Sequence, residues 1–157
     1  REGFRPFAPS VLEEDYNEYF EGRILSPYML MVKKIKSNIK LKIPENYWKL
    51  DYRDKLYTKR SKLQSITHVD FSARIQTVSK KTNPNYWNLI NEFKKLTSYG
   101  VLVNTSFNVR GEPIVNSPED AFKCFMNTEM DHLVIGNFLF EKKNQTTKYE
   151  KETFILD

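Results

Sequence analysis

Hydrophobic spacing changes along the chain, and the two clearest patterns predict a strand and a helix. Residues 66–78, "ITHVDFSARIQTV", are rich in β-branched side chains, which favours a β-strand. After Asn83 and Pro84, a pair typical of a helix start, apolar residues recur every three or four positions. We expect this helix to end near Gly100 and to bury one apolar stripe, made of Tyr86, Leu89, Ile90, Phe93 and Leu96.

Weaker patterns predict the remaining elements. Four more segments are predicted as strands: residues 4–12, 26–35 (with Tyr28, Leu30 and Val32 on one face), 101–107 and 132–142. The first of them contains prolines, so we expect it to be an extended segment or an edge strand. Two short helices are predicted, an acidic one that ends at Gly22 and a capped one that begins at Ser117 and has Ala121, Phe122, Cys124 and Phe125 on its apolar side. Because strands and helices alternate from residue 66 to residue 142, the predicted fold class is mixed α/β (α+β).

Segment 36–64 fits none of these patterns. It is long for a plain loop, so we expect a mobile excursion or a small appendage. Residues 33–62 hold eleven Lys or Arg against three acids, a net charge of +8, whereas the rest of the chain carries −3 of the total +5. The basic charge is therefore local, and it fits either a solvated insertion or a surface that grips RNA or another acidic partner.

Composition limits the class of protein. A chain of 157 residues with 39% hydrophobic and 14% aromatic residues is expected to fold as one ordinary domain. No run of eighteen apolar residues or signal peptide is visible, and the opening without Met is expected of a piece of a longer chain. The single Cys124, interpreted as part of the core, excludes an internal disulfide and fits a reducing cytoplasm. One Cys and two His are too few for the usual zinc sites.

Three arginines are the main candidates for chemistry. Arg5, Arg74 and Arg110 each lie beside small polar residues at a predicted strand edge or loop. A guanidinium group binds phosphate through two parallel hydrogen bonds and keeps its charge, so three converging arginines would form a phosphate pocket. The alternative is that each is a solvated surface arginine. The phosphate loops GxxxxGK[ST] and GxGxxG are absent, so nucleotide binding here would depend on side chains.

His68 and Asp70 are a weaker candidate pair. Two residues apart in the predicted strand 66–78, they would lie on the same strand face, as a catalytic histidine and aspartate require. A structural histidine in a strand is the alternative interpretation.

Six segments, in this order, resemble one known family. They are "REGFRPFAPSVLEE", "SPYMLMV", "THVDFSARIQTV", "NPNYWNLINEF", "VLVNTSFNVRGEPIVNSPEDAFKCF" and "HLVIGNFLF". Together they resemble the C-terminal domain of the NodU/CmcH-type O-carbamoyltransferases over residues 1–140, interrupted by segment 36–64. The resemblance implies a YrdC-like twisted mixed sheet with packed helices over residues 1–142, with 36–64 as a basic insertion and 143–157 as a polar tail.

The resemblance also implies a function. Such a domain binds carbamoyl phosphate and ATP with Mg²⁺ and forms carbamoyl-adenylate, whose carbamoyl group passes to a hydroxyl acceptor. Its implied partner is an N-terminal actin/sugar-kinase-like domain of the same chain, which carries the family's metal site. The residues implied to bind carbamoyl phosphate and ATP are Arg5, Ser10, Thr67, Arg74, Ser106, Asn108 and Arg110, none of them a covalent nucleophile.

The family pattern differs at one place that affects the pocket. The family usually has Gly-Thr where this chain has Phe71-Ser72, and Phe71 adds bulk and should lack the backbone freedom of glycine. The alternative function, from another class, is a non-catalytic RNA- or polyanion-binding module of the same fold. We expect a cytoplasmic carbamoyltransferase that has no membrane contact and does not bind nucleic acid.

Overall fold

The computed structural model describes residues 5–146, which form two compact units, residues 5–105 and residues 106–146. In chain order the elements are β1 Ala8–Leu12, α1 Tyr16–Tyr19, β2 Met31–Lys34, α2 Tyr52–Tyr57, β3 Ser72–Val78, α3 Pro84–Thr97, β4 Val101–Asn104, α4 Pro118–Met126, β5 His132–Ile135 and β6 Phe138–Glu141. Short 3₁₀ turns lie at Ser37–Ile39, Tyr47–Lys49, Gln64–Ile66 and Lys142–Asn144. The predicted mixed α/β class is confirmed. The predicted domain boundary at residue 142 stays a prediction, and most of the predicted tail lies outside the described residues.

The first unit is built on a mixed four-stranded sheet in the order β2-β3-β1-β4. β1 runs parallel to β3 and antiparallel to β4, so it is an interior strand, and all five of its residues are buried. The expectation of an edge strand was therefore wrong. Pro9 is tolerated because it pairs with Val103 of β4 one residue before the pairing with β3 begins at Ser10.

Helix α3 starts as predicted, and the Asn83 side chain accepts a hydrogen bond from the backbone N–H of Tyr86. Its buried contact is Ile90, which packs on Leu12 and Val78 together with Tyr86, Trp87 and Leu102. The predicted stripe was wrong at three of its five positions, since the exposed fractions of Leu89, Phe93 and Leu96 are 58%, 36% and 87%. α3 is the longest helix between residues 5 and 146, and no helix there is long and apolar enough to cross a bilayer.

Several strands are shorter than the segments that the sequence patterns predict. β3 begins at Ser72 instead of residue 66, and β4 ends at Asn104. β2 covers only Met31–Lys34, and its predicted face of Tyr28, Leu30 and Val32 is exposed because β2 lies at the edge of the sheet. The last predicted strand is instead the hairpin β5–β6, whose turn contains Gly136 at φ 58.

Segment 36–64 belongs to the core of the first unit. Ile39 and Tyr47 are buried in the same hydrophobic cluster as strands β1 and β3, and the Tyr47 hydroxyl donates a 2.7 Å hydrogen bond to the carbonyl of Val69. Backbone hydrogen bonds from Leu41 to Arg60 and from Lys62 to Ile39 join the two ends of the segment. The expectation of a mobile excursion or appendage was wrong because the apolar side chains lie between the lysines and point into the core.

The second unit packs α4 against the β5–β6 hairpin. Ser117 and Asp120 form a capping box at the start of α4, as the sequence predicts. Ala121, Phe125 and Leu133 form its core, and Cys124 is buried beside them. Burial, together with the nearby Glu112, raises the pKa of Cys124 to about 11, so the thiol stays protonated. The interpretation of Cys124 as a core residue is confirmed.

The role of segment 36–64 in the core can be tested with two tyrosines. Tyr47 is fully buried, whereas the exposed fraction of Tyr57 is 83%. We expect Tyr47→Ala to lower the free energy of unfolding by about 3–5 kcal/mol, because it removes a buried aromatic ring. The control Tyr57→Ala should change it by less than about 0.5 kcal/mol. Urea denaturation measures both, and equal losses in the two variants would show that the segment is not part of the core.

Candidate functional site

A cavity of about 520 Å³ lies within the first unit, beside the start of β3. Its wall is formed by the residues before β1, by α2 and by residues 60–72, and it includes Arg5, Arg60, Gln64, Thr67, His68 and Asp70. Among the described residues that line it, the cations are Arg5 and Arg60 and the one acid is Asp70. A cavity of this size and charge suits a small anionic ligand.

The turn before β3 shapes one side of this cavity. The backbone N–H of His68 bonds the carbonyl of Ser72 at 2.7 Å, and the N–H of Phe71 bonds the carbonyl of His68 at 3.0 Å. Phe71 has a φ of 63°, which lies in the left-handed region that favours glycine. The expectation that Phe71 could not adopt a glycine-like backbone was therefore wrong. Its ring packs near Tyr47 and Trp48, with centroid distances of 6.0 and 6.2 Å, and this packing offsets the strain.

The same turn connects His68 and Asp70 through Ser72. The Ser72 hydroxyl lies 3.0 Å from Nδ1 of His68 and donates a 2.6 Å hydrogen bond to Oδ1 of Asp70. Asp70 also accepts the backbone N–H of Ser72 at 3.0 Å, and its Oδ2 forms a 2.7 Å ion pair with Lys34. β3 begins only at Ser72, so His68 and Asp70 lie outside the strand that was predicted to hold them. The predicted pairing on one strand face was therefore wrong, and a serine bridges the two residues instead.

Burial and the neighbouring charged groups shift the pKa values of Asp70 and His68 in opposing directions. Burial would raise the pKa of Asp70, but hydrogen bonds from Lys34 and Ser72 outweigh it and hold that pKa at about 2. Burial lowers the pKa of His68; Asp70 opposes this shift, and Arg60, Arg74 and Lys34 add to it. At neutral pH, Asp70 is therefore ionised and His68 is neutral.

Arg60 is a buried cation in the cavity wall. It is 4% exposed, and its guanidinium donates hydrogen bonds to the carbonyl groups of five residues, Lys55, Leu56, Thr58, Thr67 and His68. These carbonyls satisfy its donors, and no carboxylate among residues 5–146 forms an ion pair with the guanidinium, so the positive charge is not neutralised there. Arg60 thus fixes the backbone of residues 55–58 to that of residues 67–68 and gives the cavity a positive wall.

The structure brings some of the predicted binding residues to this cavity. Arg5 and Thr67 line it, and Arg74, exposed on β3, is close enough for its charge to act on His68. Thr67 is fully buried and bonds Ser61 at 2.7 Å and the carbonyl of Leu63 at 2.8 Å, so it supports the wall.

Ser10 lies away from the residues that line this cavity. It is buried in β1 and donates a 2.6 Å hydrogen bond to Oε1 of Gln76, which also accepts one from Asn104. These contacts place Ser10 in a polar cluster of the sheet.

The other three predicted residues belong to the second unit. Ser106 and Arg110 are exposed there. The side-chain amide of Asn108 donates to the carbonyls of Val109 and Glu112, and it thereby holds the turn that contains Gly111 at φ 83. The role of "NTSFNVRGEP" as a wall of the anion pocket stays a prediction.

Sequence reasoning missed Arg60 and Ser72 as parts of the site. Arg60 is one of eleven basic residues between positions 33 and 62, and nothing in that pattern distinguishes the buried one. Ser72 follows Asp70 by two residues, and an aspartate often accepts a hydrogen bond from the backbone two residues later. That spacing was the available indication of a tight turn in place of a continuous strand.

The low pKa of Asp70 predicts an acid-sensitive turn. The pKa is lowered from 3.8 to about 2, so the stability that this carboxylate contributes is complete above about pH 4 and is lost as the pH falls through 2. Because the Asp70 side chain is 52% exposed, solvent screening reduces the expected contribution to about 1 kcal/mol. Between pH 4 and pH 2 we expect the free energy of unfolding to fall by about 1 kcal/mol less in Asp70→Asn than in the parent chain. Urea denaturation across that range measures it, and the exposed Asp131→Asn is the matched control. The same acid dependence in Asp70→Asn as in the parent chain would contradict the assignment.

Comparisons with known proteins identify the family. The chain matches the family described as carbamoyltransferase C-terminus over residues 1–142. It is 53% identical over 162 residues to an uncharacterized protein of Synechocystis, and the matched region covers all of this chain and 26% of that protein. It is 46% identical over 146 residues to nodulation protein NolO of Bradyrhizobium diazoefficiens, or 91% of this chain and 23% of NolO. It is 30% identical over 142 residues to a 3'-hydroxymethylcephem-O-carbamoyltransferase of Amycolatopsis lactamdurans, or 90% of this chain and 23% of that enzyme. The chain thus spans about a quarter of the length of these relatives, and it belongs to the carbamoyltransferase C-terminus family.

Proposed function

We propose that this chain is the substrate-activating domain of an O-carbamoyltransferase. In this proposal it binds carbamoyl phosphate and ATP. Water releases phosphate from carbamoyl phosphate, and the resulting carbamate attacks the α-phosphorus of ATP, which loses pyrophosphate, so that carbamoyl-adenylate forms. The carbamoyl group is then transferred to a hydroxyl acceptor, and AMP is released. The family membership supports carbamoyl transfer, and one relative is named for transfer to an oxygen of a hydroxymethylcephem. The observation that carries the proposal for this chain is the cavity beside β3, whose wall contains two arginines.

The charges of the cavity fit the proposed reaction. Carbamoyl phosphate and ATP both carry negative charge, and their reaction brings phosphate groups together. Arg5 and Arg60 line the cavity, and Lys34 and Arg74 lie close enough for their charges to act on His68. Cations that are fixed before the ligands arrive offset the repulsion between phosphates without having to reorganise. Arg60 suits this role because its carbonyl partners hold it in place and leave its charge uncompensated.

Magnesium enters the proposal as the counter-ion of the ATP phosphates. Between residues 5 and 146 no group of three or more His, Cys, Asp and Glu side chains is arranged to hold a metal ion. In the proposed reaction Mg²⁺ would lie on the phosphate oxygens of ATP, a coordination that this ion favours.

The remaining steps require a partner. The relatives are about four times as long as this chain. We propose that an N-terminal actin/sugar-kinase-like domain of the same protein transfers the activated carbamoyl group to the hydroxyl acceptor. The metal site of the family is proposed to lie in that domain. The cytoplasmic location also stays a prediction.

We expect the three predicted arginines to contribute separately to ligand binding. Arg5→Ala, Arg74→Ala and Arg110→Ala should each weaken the binding of carbamoyl phosphate or ATP-Mg by about 2 kcal/mol, or roughly thirtyfold in Kd, because each removes a charge-assisted hydrogen bond. Isothermal titration calorimetry of the intact protein measures these affinities. Arg23→Ala is the control, because Arg23 is an exposed arginine that lies outside the segments that resemble the family.

Salt distinguishes this proposal from the polyanion-binding alternative. The affinity for RNA falls steeply as salt rises, in proportion to the number of phosphates contacted. A pocket for one small ligand should respond less to salt and should lose affinity in the arginine variants. Unchanged affinities in all three variants would exclude these arginines from the site. Tight, strongly salt-dependent RNA binding without saturable binding of carbamoyl phosphate would overturn the proposed function.

A further inference from the structure

One ring nitrogen of His68 has no hydrogen-bond partner among residues 5–146. Its Nδ1 lies 3.0 Å from the Ser72 hydroxyl, whereas Nε2 makes no hydrogen bond within residues 5–146. In that part of the chain every buried side-chain nitrogen or oxygen has a partner, so the unpaired Nε2 is accessible. Because His68 is one of the residues that line the cavity, a ligand bound there is the candidate partner for this nitrogen.

Hydrogen bonding around Ser72 determines which nitrogen of His68 carries the proton. The Ser72 hydroxyl has one hydrogen, and its 2.6 Å contact with Oδ1 of Asp70 requires that hydrogen, because an ionised carboxylate can only accept. The Ser72 oxygen must then accept from His68, so Nδ1 carries the proton. In neutral imidazole the other nitrogen, Nε2, is consequently an acceptor.

The charged neighbours keep His68 in this neutral form. Burial and the positive charges of Arg60, Arg74 and Lys34 disfavour a second proton, whereas Asp70 favours it, and the balance lowers the pKa of His68.

The carboxylate and amide oxygens on the wall already accept hydrogen bonds. Asp70 receives hydrogen bonds from Ser72 at Oδ1 and from Lys34 at Oδ2. Gln64 accepts from the backbone N–H of Arg60, and the carbonyl of His68 accepts from the Arg60 side chain. Nε2 of His68 is thus an uncommitted nitrogen acceptor on a wall that also holds two cations, Arg5 and Arg60.

We propose that Nε2 of His68 accepts a hydrogen bond from the amino group of carbamoyl phosphate and thereby distinguishes it from acyl phosphates of the same shape. This inference rests on the proposed function. The phosphate oxygens of carbamoyl phosphate accept hydrogen bonds and suit the arginines, whereas its NH₂ group is a donor and requires an acceptor. Acetyl phosphate carries a methyl group in place of the NH₂, so it would leave Nε2 unpaired. A site built around such a hydrogen bond rejects the analogue that lacks it.

The first measurement is the tautomer of His68 in the intact protein. Long-range ¹H–¹⁵N NMR spectra distinguish a protonated Nδ1 from a protonated Nε2. We expect His68 as the Nδ1–H tautomer in the parent protein, with signals assigned by their loss in His68→Phe. In Ser72→Ala the acceptor for Nδ1–H is lost, and we expect a mixture of tautomers. Ser72→Thr keeps the hydroxyl and should keep the Nδ1–H form, so it controls for the substitution itself. An Nε2–H tautomer in the parent protein would overturn the inference whatever the ligand.

The second measurement is the ratio of affinities for carbamoyl phosphate and acetyl phosphate, from calorimetry on the same proteins. We expect the parent protein to favour carbamoyl phosphate by roughly tenfold, the size of one neutral hydrogen bond. His68→Phe should abolish this preference by weakening the binding of carbamoyl phosphate alone, and Ser72→Ala should reduce the preference. His132→Phe, which changes an exposed histidine of the second unit, should leave it unchanged.

The possible outcomes separate the two proposals. A parent preference that survives in His68→Phe would overturn the role of His68 and leave the proposed function intact. No binding of carbamoyl phosphate by the parent protein would overturn both. An equal loss of affinity for both ligands in His68→Phe would show that His68 shapes the cavity without recognising the amino group. This result would also overturn the inference.

Discussion

The buried charge of Arg60 is the constraint on which the rest of the cavity depends. A guanidinium cannot lose its proton in a protein, and removing it from water costs several kcal/mol unless its donors are satisfied. Here the carbonyl groups of residues 55–58 and 67–68 satisfy them. Neither backbone segment can move away without leaving the charge unpaired. The wall of the cavity is therefore rigid, and its positive potential comes from a side chain that the fold itself requires.

That rigidity extends into the turn that holds His68. One of the carbonyls that Arg60 fixes belongs to His68, and the same carbonyl accepts the backbone N–H of Phe71. The chain can then reverse and enter β3 only if Phe71 adopts a positive φ, an arrangement that glycine achieves without cost. In this protein the ring of Phe71 packs near Tyr47 and Trp48, both from segment 36–64. A segment that looks like an insertion thus supplies the packing that a bulky residue needs at a glycine-like position.

The sequence predicted those features that local chemistry determines. The Asn83-Pro84 start of α3 and the capping box of α4 depend on neighbouring residues, so their patterns were sufficient. The burial of Tyr47 and Arg60 and the exposure of Leu89 and Leu96 depend on which elements lie opposite them, and no local pattern contains that information. The start of β3 was misplaced for the same reason, because residues 66–71 have strand-like composition but are held in a turn by Arg60, Asp70 and Ser72. Of the candidate site, the sequence identified Arg5, Thr67 and Arg74 near the cavity through the family resemblance, and it could not identify the buried arginine.

The electrostatics of the cavity link anion binding to the protonation state of His68. Arg60, Arg74 and Lys34 attract phosphate, and the same positive charges disfavour a proton on His68. Asp70 opposes this effect on His68, but its carboxylate is already paired with Lys34 and bonded to Ser72. Bound phosphate would add negative charge and favour the protonated histidine, so the fixed cations have to outweigh it for Nε2 to remain an acceptor. The proposed mode of binding therefore requires a cation besides these three close to the bound phosphate. Arg5 is distant from residues 60–72 in sequence but lines the same cavity, so we propose that it supplies this charge.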